Sequence, residues 1–62
     1  MDTLYSRVVF EPESDGGERI VQWLRADDQG LHGWEEYANG ERSQEIEVLA
    51  EDVPSGFRLV RP

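Results

Sequence analysis

The sequence predicts an α+β fold: residues 1–62 as a single small domain, an antiparallel sheet in β-β-β-α-β order with one helix packed on it. Three observations carry that prediction. Apolar residues recur at strand spacing in three runs separated by Gly-, Asp- and Asn-containing turns. Residues 43–53 instead space their apolar side chains at helical intervals. A last short apolar run follows Pro54 and Gly56. If 43–53 is extended rather than helical, the alternative is an all-β, five-stranded barrel.

The first strand is predicted over 4–11, LYSRVVFE, with Leu4, Ser6, Val8 and Phe10 on one face and Arg7 and Glu11 opposite. Pro12 ends it because proline has no N–H for a ladder. Ser14, Asp15, Gly16 and Gly17 then supply turn chemistry. The second strand, 19–25, reads RIVQWLR and is apolar on both faces, which suits a central strand covered by another element. Asp27-Asp28-Gln29-Gly30 makes the next turn. A third strand over 31–37, LHGWEEY, places Gly33 at a bulge or a close approach, and Asn39-Gly40 turns the chain again.

Within 43–53, SQEIEVLAEDV, a helix would align Ile46, Leu49, Ala50 and Val53 in one stripe. Ser43 would cap it, Glu45 would suit its first turn, and Pro54 with Gly56 would stop it. As a strand, the same segment would align Ile46, Val48 and Ala50 but throw Leu49 among the glutamates. The final strand is predicted over 57–61.

A chain of 62 residues lies near the lower limit for independent folding, since a domain of that size buries only about 60% of its unfolded surface. It contains no cysteine, so neither a disulfide nor a thiolate metal site is available to reinforce it. The candidate core is Leu4, Val8, Phe10, Ile20, Val21, Trp23, Leu24, Leu31, Trp34, Tyr37, Ile46, Leu49, Val53, Phe57 and Leu59. That supports a marginal monomer, which a partner would stabilise. No stretch approaches the roughly 20 apolar residues of a membrane span. The acidic start MDTLYSRVV does not read as a secretory signal. A soluble, cytoplasmic protein without membrane contact is expected.

Fourteen Asp and Glu stand against six Arg and no Lys, a formal net charge of −8. Such a field repels phosphate backbones and favours encounter with a basic protein. An acidic, lysine-free composition also fits a salt-adapted proteome or a high-GC genome.

Catalytic chemistry is sparse. His32 is the single imidazole, on a strand beside Gly33, and a hydrolytic triad would need it. The pairs Asp27-Asp28 and Glu35-Glu36 are explained as solvated turn and strand residues. DDQG lacks the alternating oxygens of an EF-hand loop, and no Gly-rich phosphate motif is present. No enzyme activity, cofactor or metal is expected. Trp23 with one other aromatic is expected in the core; Trp34, where exposed, would be the natural interface anchor.

Residues 6–21, SRVVFEPESDGGERIV, resemble the N-terminal hairpin of the HicB antitoxin family, where a strand, an acid-Pro-acid turn and Gly-Gly lead into a second strand. GLHGW at 30–34 is loosely similar to that family's Leu-Pro-Gly-Cys segment, with His32 at the proline position and Trp34 at the cysteine position. The resemblance implies a partial double-stranded-RNA-binding-like half-domain that masks a small basic ribonuclease toxin. TLY at 3–5, the acidic EPESDGGE and DVPSGF at 52–57 are similar to elements of Src-homology-3 barrels, which implies binding of proline-rich peptides.

The function expected is therefore a non-enzymatic acidic module or inhibitor, antitoxin-like, that masks a basic protein partner. Its surface would be Asp15, Glu18, Asp27, Asp28, Glu35, Glu36, Glu45, Glu47 and Glu51, with Trp34 as anchor. The alternatives are a small structural subunit that homodimerises through an open sheet edge, or an SH3-like peptide-binding module. Nucleic acid is not the expected partner.

Overall fold

In the computed structural model of this chain, residues 2–10 and 19–61 are described. The acidic turn with Asp15 and Glu18 lies outside the described residues. Three strands form where alternation predicts them: β1, Thr3–Phe10; β2, Arg19–Asp27; and β3, Gly30–Glu36. They pair antiparallel in sequence order. The β2–β3 turn is fixed by an Asp27 carboxylate oxygen accepting from the Gln29 N–H at 2.8 Å, a side-chain mimic of a backbone turn.

The predicted helix over 43–53 is absent, which overturns the α+β expectation. The segment forms a three-residue strand β4, Ile46–Val48, and then a single 3₁₀ turn, Ala50–Asp52. Among the described residues there is no α-helix, and the chain is mostly β, as the all-β alternative has it, with the strand order of an open sheet rather than a closed barrel. The competing interaction is tertiary. Ser43 does not cap a helix. Its N–H donates to the Glu35 carbonyl and its Oγ accepts from the Glu35 N–H, both at 2.8 Å, so the chain enters beside β3 as an extended segment. β-branched Ile46 and Val48 suit that geometry. The helical stripe is not buried: Ile46 is 61% exposed and Leu49 60%.

The last strand is also shorter than predicted: β5 spans Arg58–Leu59 and returns to β1, with Tyr5 opposite Leu59 and Ser6 opposite Arg58. The sheet is five-stranded in the order β4-β3-β2-β1-β5, with β2 central as its sequence implied.

Register and pleat divide the side chains between two faces. One, the groove face, carries Tyr5, Arg7, Gln22, Leu24, Gly33, Glu35, Ile46 and Val48. The other, the tryptophan face, carries Ser6, Val8, Trp23, Arg25, His32, Trp34 and Glu47. The core sits on the groove face, where Leu24 is the one buried hydrophobic residue among those described, at 7% exposure. The expected core is thus corrected at Val8, Ile46, Leu49 and Leu59, all exposed. Buried Gly33 is a close approach as expected: a Cβ there would stand 3.0 Å from a Val48 methyl, so glycine lets β4 lie against the sheet.

Candidate functional site

An open groove of about 230 Å³ lies on the groove face. Buried Leu24 and Gly33 form its floor together with Val48. Ile46, Val53, Pro54 and Phe57 are its apolar walls, and Gln22, Glu35, Ser43 and Gln44 supply polar atoms. The wall at 53–57 is held down by Arg7. Its Nη1 donates to the Ser55 carbonyl at 3.0 Å, and its guanidinium lies 5.6 Å from the Phe57 ring centroid. Gly56 fits there for two reasons: its φ is +99°, and a Cβ would meet the Arg7 side chain at 3.2 Å.

Arg7, Gln22 and Glu35 are register partners across β1, β2 and β3. Arg7 Nε and Nη2 donate to Gln22 Oε1 at 3.0 and 2.7 Å, and Gln22 Nε2 donates to Glu35 Oε2 at 3.2 Å. The amide is oriented by its two charged neighbours, oxygen to the cation and nitrogen to the anion. Glu35 thereby gains a hydrogen bond but no ion pair among the described residues. A half-buried carboxylate whose second oxygen has no partner among the described residues, beside an apolar groove, is suited to a cationic group that also brings apolar atoms.

The tryptophan face is arranged differently. Trp23 and Trp34 are cross-strand partners with ring centroids 6.3 Å apart and planes 12° from parallel. Arg42 lies over Trp34, 4.9 Å from its centroid, and residue 42 bridges to Glu36. Both tryptophans are half-buried, so Trp34 is neither a core residue nor a free anchor. Trp23 Nε1 is shielded from solvent without an acceptor among the described residues. Arg25 binds Glu45 at 2.7 Å and lies 3.5 Å from Asp27, and His32 Nε2 is 3.6 Å from Asp27. The Gln29 N–H holds the Asp27 carboxyl below its ordinary range; burial opposes this, and His32 and Arg25 add to it.

The acids singled out by sequence therefore do not form one patch. Asp27, Glu36, Glu45 and Glu47 share the tryptophan face with Trp34, where Arg25 and Arg42 also lie. Glu35 lies on the opposite face, Asp28 in the exposed β2–β3 turn, and Glu51 in the exposed 3₁₀ turn. Sequence reasoning missed Arg7, Gln22, Arg25 and Arg42. The available signal for Gln22 was a polar residue between Ile20 and Leu24 on an otherwise apolar strand; Arg7 is placed beside it only by the β1–β2 register. No protein-family model, curated protein or solved structure matches this chain.

Proposed function

We propose that this chain is a non-catalytic, acidic protein-binding module that masks a basic partner, seating an extended segment of that partner in the groove. The carrying observation is Glu35: a half-buried carboxylate without an ion-pair partner among the described residues, lining an apolar groove in a chain of net charge −8. The net charge steers a basic protein to the surface, and the groove selects within it. The favoured segment combines an aliphatic side chain, to cover Leu24 and Val48, with an arginine or lysine that reaches Glu35. This places the recognition acid at Glu35 and gives the remaining acids a steering role.

A peptide array probed with the labelled full chain tests the reading. Enrichment of peptides pairing an aliphatic residue with Arg or Lys is expected. Glu35→Gln should weaken the best of them by roughly tenfold or more, since a charge-assisted hydrogen bond is replaced by a neutral one. Preference for acidic peptides, or equal binding by Glu35→Gln, would sink it.

A further inference from the structure

The two edges of the sheet differ in charge and each carries an uncovered aliphatic. At one edge, β4 pairs with β3 alone among the described residues, and Glu47, Glu51 and Asp52 lie on or just after it. At the other, β5 pairs with β1 alone among the described residues, and Arg58 and Arg61 lie on or just after it. The acidic edge leaves Ile46 61% exposed, and the basic edge leaves Leu59 52% exposed. Leu24 is the single buried hydrophobic residue among those described, so the chain alone encloses little core.

We infer that copies of this chain assemble head to tail, the β4 edge of one meeting the β5 edge of the next. The occupant is a second copy because the chain itself supplies both halves of a complementary pair: strand edge to strand edge, carboxylates to guanidinium groups, Ile46 to Leu59. The two surfaces are different, so the contact is heterologous and builds a ring or a filament rather than a two-fold dimer. Backbone pairing across short edges is weak by itself, and the charges fix which edges meet. The net charge of −8 opposes approach at long range. At physiological ionic strength that repulsion is damped beyond roughly 8 Å, whereas ion pairs in contact are screened less.

Sedimentation velocity of the full chain at physiological salt, over a wide concentration range, tests this. Species larger than a monomer are expected to grow with concentration. The acidic-edge variant, Glu47→Arg with Glu51→Arg, and the basic-edge variant, Arg58→Glu with Arg61→Glu, should each remain monomeric. Mixing the two in equal amounts should restore association, because each then presents edges complementary to the other. Circular dichroism checks that both variants keep their strands. Glu51→Arg alone, on the exposed 3₁₀ turn, replaces the double variant if that unfolds, with association weakened rather than lost. A wild-type chain that stays monomeric throughout overturns the inference, as do folded variants that associate like wild type or a mixture that fails to re-associate.

Discussion

On the tryptophan face Arg25 reaches both Asp27 and Glu45, and Arg42 covers Trp34; on the groove face Arg7 and Glu35 stand two strands apart with Gln22 between them. The strands are the same, and adjacent residues along β2 feed the two arrangements. On one face Arg25 pairs directly with two acids, while Glu36 and Glu47 beside them have no ion pair among the described residues. The other keeps cation and anion separated by a neutral amide, so that the carboxylate end is left for something else. Charge count alone does not distinguish the two, because both faces carry acids. The difference is that Glu35 is half-buried beside an apolar groove and hydrogen-bonded to Gln22, whereas the paired acids of the other face reach Arg25 directly.

That contrast can be broken at several points. The largest effect is expected below the groove: Leu24→Ala removes the buried side chain on which the face is built and should cost about 2–5 kcal/mol, measured by urea denaturation. A loss no greater than that of an exposed leucine would mean the core lies elsewhere. Next is Arg7→Ala, which releases Gln22 and the Ser55 carbonyl together. Hydrogen bonds to charged groups are worth about 1.5–3 kcal/mol, and partial exposure places this variant near the lower figure. On the tryptophan face, Arg42→Ala removes one exposed cation–π contact and should cost only about 0.5–1 kcal/mol. If Arg42→Ala proved more damaging than Arg7→Ala, the two faces would have to exchange roles.

The smallest effect expected is in acid. Asp27 titrates below its ordinary value of 3.8 in the folded chain. A depressed folded pKa means that its contribution to stability is complete above the unfolded value and is lost as the pH falls through the folded one. Melting curves of wild type and Asp27→Asn should therefore converge in strong acid and separate towards neutral pH. Parallel curves throughout would show that the turn, not the charge, is what Asp27 supplies.

The first three strands were legible because alternation and turn chemistry are local. VVF and IVQWL declare extended chain, and DDQG needs only its own neighbours to turn. Residues 43–53 were not, because Ile46, Leu49, Ala50 and Val53 fit a helical stripe better than Ile46, Val48 and Ala50 fit a strand. The choice is made by Glu35, eight positions before Ser43, through the hydrogen bond between them. The face that becomes the core was misread for the same reason. Val8 looks inward from β1 alone, but register with β2 puts it on the tryptophan face and Tyr5 opposite Leu24. For the site, acid content was legible and acid placement was not. Glu35 and Glu36 are adjacent in sequence, yet the pleat sends one to the groove and the other to the opposite face.

Pairing of β5 with β1 has a kinetic consequence. Tyr5 meets Leu59 and Ser6 meets Arg58, contacts between the two ends of the chain, whereas the β2–β3 hairpin closes through its own two-residue turn at Asp28 and Gln29. Local hairpins form before long-range pairings offset the entropy of joining distant segments. The β2–β3 hairpin is thus placed to nucleate folding, with β5 the last strand to dock. Its two residues are the natural first point of opening, and amide hydrogens of β5 should exchange ahead of those in β2.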